Sequence, residues 1–403
     1  MVFLYLKNQK GRTTMKNEMK KTVSLILALV LSCTALFGLS SCAIFTGDTG
    51  ALNDQIESLT KQLEDANAKI LALEAEKGSL NKENEALLDC LKGVHTFSGA
   101  ICTTCGKDRG YTRDGDFIYF GEYPQTIKAD DVTITDTTDS RGYYLGSDGN
   151  YYAKVTATPY VDGMAADPTS KSTFTTGERV VDGTVYYFKV EPIRWRIITE
   201  ENGEAFVLCD SIIASVQYQS NYSYDSSARG YCTTSNGAPS GTYANNYKYS
   251  DIRNWLNEAF YKTAFSSLQQ AIVLATEVDN SAASTNPSGV NWDSGYNNYE
   301  CENTNDKVFL ISELEATSEA NGFAYYTTSD EARRMLTSDY SRATGAYMDT
   351  SSDYNGNGWW CTRSPYYQES RNVSLIGHSG SAFFPYDVAS LGIGVAPALR
   401  IKL

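Results

Sequence analysis

From Leu52 to Val94, apolar residues recur at alternating spacings of four and three. One set of positions is Ile56, Leu63, Ile70, Lys77, Asn84 and Leu91; the other is Leu52, Leu59, Ala66, Leu73, Leu80, Leu87 and Val94. Eleven of these thirteen positions are apolar, which predicts a helix with a coiled-coil seam over residues 51–94. Asn84 falls at an a position, where an Asn costs stability unless it meets another Asn; it therefore favours a parallel dimer in one register. A trimer, or a solitary helix packed on the rest of the chain, remains as an alternative. A straight stalk of this length spans about 65 Å.

Beyond residue 110 the helical period gives way to short aromatic and β-branched runs. Phe117–Phe120 and Gly142–Val155 read as strands, the second broken by Gly146 and Gly149. Val185–Val190, Ile193–Thr199 and Ala205–Cys209 follow, the last two joined by a turn at Glu201-Asn202-Gly203. Residues 215–250, rich in Ser, Tyr, Asn and Gly, predict a long surface loop. Ser250 or Asp251 is placed to cap a helix bearing Ile252, Trp255, Leu256, Phe260 and Phe265. Lys307–Ile311 reads as a buried strand, and Ser312 with Glu315 reads as the capping box of a further helix. A short helix is expected over Ser329–Leu336, then strand and turn from Trp359 to Leu403. Strands first, helices in the middle and strands last predict an α+β domain over residues 110–403.

The N-terminus follows neither pattern. Lys16, Lys20 and Lys21 precede an uncharged run of 17 residues, Val23–Leu39, which is short for a membrane span and fits a secretory leader. The run ends in Leu39-Ser40-Ser41-Cys42, which resembles the lipobox of bacterial lipoproteins. The resemblance implies a signal peptide over residues 1–41, lipid on Cys42, and a place on the extracytoplasmic face of a bacterial membrane, with residues 42–50 a short linker. An ordinary signal peptide or an uncleaved anchor, with a chance Cys, is the alternative. The whole chain carries 34 basic and 48 acidic side chains, a net charge of −14. Residues 42–403 alone carry 28 and 47, a net of −19. Such a chain is repelled by anionic lipid heads and by phosphate backbones, so the lipid has to supply the membrane hold and nucleic acid is not expected as a partner.

Cys90, His95, Cys102 and Cys105 lie close together after the stalk, the last two in Cys-Thr-Thr-Cys followed by Gly106. Cys and His are the preferred ligands of tetrahedral structural zinc. The spacing resembles the small Cys-His-Cys-Cys zinc knuckles of bacterial surface proteins, here over residues 90–109. Disulfides in an oxidising compartment are the competing account. If those three Cys bind zinc, then Cys209, Cys232, Cys301 and Cys361 remain, an even set whose pairing stays open; an all-disulfide scheme leaves an odd thiol.

Several segments of the large domain resemble one bacterial family, domain of unknown function 6273. They are Phe120–Gln125 (FGEYPQ), Glu191–Ile198 (EPIRWRII), Ser250–Phe265 (SDIRNWLNEAFYKTAF), Asn305–Ser312 (NDKVFLIS), Trp359–Pro365 (WWCTRSP) and Val395–Leu403 (VAPALRIKL). Cys361 departs from the family pattern, which has a second aromatic there, and Ala396 stands where the family has Arg. The aromatic-Arg-Ser-Pro segment and the closing Pro-Ala-Leu strand are similar to C-type-lectin-like folds such as formylglycine-generating enzymes. What the resemblance implies is a fold and a location; the family carries no established activity.

Two function classes follow. The first is a binding or adhesion module on a stalk, with Trp359, Trp360 and Arg363 as a platform for a glycan or peptide, since Trp and Arg dominate binding hot spots; in the alternative, strand alternation turns one Trp to the core and Arg363 serves an internal pair. Seven tyrosines between Tyr218 and Tyr249 add amphipathic area of the kind antibody loops use. The second is an extracytoplasmic enzyme on a divergent formylglycine-generating-enzyme-like fold. Binding is preferred, because residues 110–403 display no nucleophile–base pair, phosphate loop or metal triad. Calcium is the weaker cofactor reading. Residues 353–358 start like a calcium loop, but the twelfth position is Ser364 where a bidentate Glu is required.

Overall fold

The computed structural model describes residues 49–92, 94–162, 170–224, 229–232, 235–285, 299, 301–325 and 329–403. The leader and Cys42 lie outside the described residues. The chain divides into a helical unit that ends at Thr96 and takes in Thr103–Gly106, and a larger unit of Phe97–Cys102 and Lys107–Leu403.

The helical unit is one helix of 43 residues, Thr49–Leu91, carrying the predicted heptads. In the single chain the seam is unevenly exposed: Ile56, Leu63 and Leu91 are 55%, 48% and 68% exposed, whereas Leu59, Ile70, Leu73, Leu80 and Leu87 are half-buried and Ala66 is buried. Lys92 and Val94 return their amides to carbonyls of the last turn and close the C-terminus. Among the described residues no helix is long and apolar enough to cross a membrane.

The larger unit contains both helices and sheets and is α+β. Its main sheet has eight strands and is antiparallel throughout. The axis is a single 17-residue strand, Val185–Glu201, where two runs interrupted at Glu191-Pro192 were expected. Pro192 does not break it because Pro192 pairs with Glu122 next to a register shift, where a missing amide is tolerated. The strand pairs with Tyr151–Thr156 at one end, Phe117–Ile127 in the middle and Glu204–Cys209 at the other end. The last pairing turns at Asn202 and Gly203, both at positive φ (53° and 78°), as the sequence predicted. Ala398–Lys402 closes the edge against Glu204–Cys209.

A second sheet of five strands is built from the C-terminal part: Ala214–Ser215, Gly394–Val395, Trp360–Pro365, Asn372–Ile376 and Ala382–Asp387. Between the sheets lies a continuous apolar core that includes Trp195, Phe120, Phe265, Leu256, Phe309 and Trp360. The buried Trp195 indole donates to the Phe120 carbonyl at 2.7 Å, satisfying the one polar group of a fully buried ring.

The caps form as the sequence predicts. Ser250 accepts from the Arg253 amide, and Ser312 with Glu315 forms a reciprocal capping box. Two expectations fail. Lys307–Ile311 is not a strand: only Phe309 bridges to Ala398, although Val308–Ile311 is fully buried. Burial alone produced the apolar run there. The helix expected over Ser329–Leu336 shrinks to one turn at Glu331–Arg333, capped by Asp330.

Candidate functional site

The Cys/His knuckle assembles as the spacing suggests. Cys90 sits in the last turn of the long helix. Phe97–Ser98 and Ile101–Cys102 form a two-residue ladder that turns at Gly99, and Cys105 follows in a turn before Gly106, whose φ is +72°. The ligand atoms of Cys90, His95, Cys102 and Cys105 all lie within 4.8 Å of one another. Donors of a tetrahedral zinc thiolate centre are roughly 3.7 Å apart, so a small contraction closes the shell. Cys105 Sγ is already 3.5 Å from His95 Nδ1. These four side chains fit a metal ion. Cys209, Cys232, Cys301 and Cys361 are free thiols.

The proposed platform of Trp359, Trp360 and Arg363 is not one surface. Trp360 is completely buried and donates its indole N–H to the Arg333 carbonyl at 2.9 Å. Arg363 is 2% exposed; it donates to the Leu310 carbonyl at 2.9 Å and pairs with Glu315. Burial pushes the Glu315 carboxyl up, yet the adjacent guanidinium outweighs it and holds the group below its ordinary value. Glu315 thus serves the capping box and the ion pair together, locking Trp359–Pro365 to the helix after Ser312. Arg253 does the same for another pair of segments, donating through Nε to buried Asp306 at 2.8 Å. The charged residues in these segments build the fold.

Trp359 alone of the three is half-exposed. Tyr347 lies flat on its ring, 3.8 Å away at 14°. Tyr160 stands on edge to both, 5.5 Å from Tyr347 and 6.2 Å from Trp359. Tyr386 meets Trp359 at 65° and 5.5 Å. The indole N–H donates to His378 Nδ1 at 3.1 Å, and His378 Nε2 is 3.6 Å from Asp349. The Tyr347 hydroxyl donates to the same carboxylate at 2.9 Å. Burial raises the Tyr347 hydroxyl and Asp349 raises it further. Asp349 itself is pushed up by burial but held below its ordinary value, chiefly by the hydroxyl and amide of Ser351. Sequence reading missed Tyr160, Tyr347 and Tyr386, because each arrives from a different segment. Gly392 lets the chain pass close to the cluster: its φ is +101°, and a Cβ there would stand 2.7 Å from the Tyr160 ring.

Two other candidates resolve into structure. In the loop at 353–358 the Asn357 side-chain amide donates to the His378 carbonyl, which ties the loop back onto the His378 turn. The tyrosine-rich segment is divided: Tyr218 and Tyr247 are core residues, whereas Tyr222, Tyr231, Tyr243 and Tyr249 are half-buried, with Tyr222 donating to Asp387.

The description "Domain of unknown function (DUF6273)" matches residues 202–403. The chain belongs to this family. The match takes in four of the six segments that carried the resemblance and leaves Phe120–Gln125 and Glu191–Ile198 outside. No curated protein and no solved structure matches the chain. The DUF6273 region therefore starts in the turn before Glu204–Cys209 and includes all five strands of the second sheet, with Trp359 and three of its neighbours, Tyr347, His378 and Tyr386; Tyr160 comes from outside it.

Proposed function

We propose that this is a lipid-anchored bacterial cell-surface protein that displays its DUF6273 domain as a ligand-binding module. In this reading Cys42 carries the lipid, residues 51–94 pair in a parallel coiled-coil dimer, and zinc closes Cys90, His95, Cys102 and Cys105. The domain itself follows a C-type-lectin-like plan. The exposed seam residues of the 43-residue helix, Ile56, Leu63 and Leu91, support the pairing, since apolar side chains at this spacing are covered when two such helices wind together. Mutual approach of four soft donors supports zinc.

The observation that carries the binding reading is the half-exposed ring cluster at Trp359. Large rings held at a surface by hydrogen bonds to fixed partners lose little entropy on meeting a ligand. An enzyme of the formylglycine-generating type is less well supported, because burial pushes the thiols of Cys301 and Cys361 up and away from the thiolate that chemistry needs. A glycan and peptide array probed with the purified protein tests the reading. A ligand lost on Trp359→Ala, with circular dichroism unchanged, is the expected result. Turnover of an arrayed compound would replace binding by catalysis.

A further inference from the structure

The Trp359 indole N–H is held by the imidazole of His378. An indole N–H can only donate, so His378 Nδ1, 3.1 Å away, has to accept. The ring is therefore the neutral imidazole with its hydrogen on Nε2, the nitrogen 3.6 Å from Asp349 Oδ2. The side chain of His378 is 30% exposed, so protons from solvent reach it.

The groups around the ring are few. The 347–357 loop brings Asp349, whose carboxylate also takes the Tyr347 hydroxyl and the Ser351 amide. It brings the Tyr347 and Tyr354 rings too, centred 6.0 and 5.3 Å from the imidazole. Asp353 on the same loop takes the Ser352 hydroxyl. The 330–334 turn brings Arg334, drawn over the Tyr354 ring at 5.2 Å and onto the Ser379 carbonyl, while Asp330 and Arg333 in that turn stand 3.9 Å apart. Asp349 and the two tyrosine rings favour an imidazolium, and Arg334 opposes it.

A second proton can settle only on Nδ1. It sets two N–H donors against each other across the 3.1 Å contact, and one has to leave. The backbone on both sides is fixed. The Asn357 side-chain amide holds the His378 carbonyl, Arg333 Nε holds the Gly380 carbonyl at 2.8 Å, and the Gly394 amide holds the Trp359 carbonyl at 2.9 Å. The conflict falls on the side chains. Asp349 retains the imidazolium, so the indole is the group that turns away, and it gives up the face that Tyr347 covers at 3.8 Å.

We propose that His378 is a pH sensor: its protonation draws the ring onto Asp349, deprives the Trp359 indole of its acceptor and breaks the Trp359–Tyr347 stack. Neutral pH holds the rings and acid loosens them. The use of the switch, which rests on the binding reading above, is to release on acidification a ligand held through Trp359.

The switch itself is read without a ligand. The full chain, held in a neutral polyoxyethylene detergent and carrying tryptophan labelled with ¹⁵N in the indole, is followed by nuclear magnetic resonance from about pH 7.5 to about pH 5. The chain has five Trp, and Trp359→Phe identifies the resonance. That signal is expected to move upfield on acidification, with a transition between about pH 5 and pH 8, and the near-ultraviolet circular dichroism of the stacked rings should fall with it. His378→Asn keeps an acceptor near the Nδ1 position and takes no proton, so it should hold the neutral-pH signal throughout. Asp349→Asn should move the transition down by about half a pH unit or more. His95, the second His of the chain, is present in every variant and so cannot produce these differences. A Trp359 signal that stays in place across the range overturns the sensor, and so does an equal shift in His378→Asn. If His378→Asn does not fold, a transition unmoved in Asp349→Asn overturns it instead. Each of these outcomes leaves the binding reading to the array, and an array without hits leaves the switch standing.

Discussion

Glu313 opens the short helix behind its Ser312 cap and is buried, with Ser374 its side-chain partner. Burial drives its carboxyl well above the ordinary 4.5, and the Ser374 hydrogen bond offsets only part of this. The folded chain thus keeps a proton that the unfolded chain releases near 4.5. The associated stability is complete below that value and is lost as pH rises through the raised folded value. Glu313→Gln removes the ionisation and keeps the shape. Chemical denaturation should find it more stable than wild type at pH 7, by at least about 1 kcal/mol, and little different at pH 4. A variant less stable at both values would mean that the charged carboxylate has a partner. Nothing in the sequence announces this residue, since Glu in a first helical turn is ordinarily solvated. The same blindness hid Tyr160, Tyr347 and Tyr386, whereas Ser250, Ser312 and the Asn202-Gly203 turn were legible because their partners lie within four residues.

At the scale of elements, the knuckle is the sharpest test. Zinc binding should show as one equivalent per chain in elemental analysis of protein purified without chelator, and Cys102→Ser should lose it. Cys102 is the informative ligand because it is buried at the end of its strand, where no outside thiol can replace it. Detection of Cys102 in a disulfide by mass spectrometry would contradict zinc. Both the long helix and this cluster were readable from spacing alone, the first from eleven apolar seam positions and the second from four soft ligands within residues 90–105. The strand expected at Lys307–Ile311 shows where such reading ends. An apolar run reports burial, and whether its backbone pairs or merely threads the core depends on Ala398, nearly ninety residues away.

For the whole molecule, the Trp359–Pro365 segment shows how alternation misleads. A half-buried strand puts every second side chain outside, but Trp360 to Ser364 is buried on both faces of the sheet, where it runs beside Asn372–Ile376. Alternation turns one of the two Trp to the core and leaves Arg363 open to an internal pair, but only contacts made across the fold reveal that Trp360 is that residue and that Glu315 is the partner. The 17-residue strand Val185–Glu201 has a consequence of another kind. Trp195 and Arg196 pair with Phe117–Ile127 on one side and with Glu204–Cys209 on the other. Phe188 is held in the same way between Ala153 and Ile127. No edge of the sheet can peel away and free these amides, so their protons can leave only when the domain as a whole comes apart. In deuterium exchange followed by mass spectrometry, a peptide covering 188–197 should label last, at a rate that tracks global unfolding, while Ile134–Thr138 at the sheet margin labels first. Early labelling of 188–197 would show that the sheet opens in two halves, with this strand acting as the seam between them.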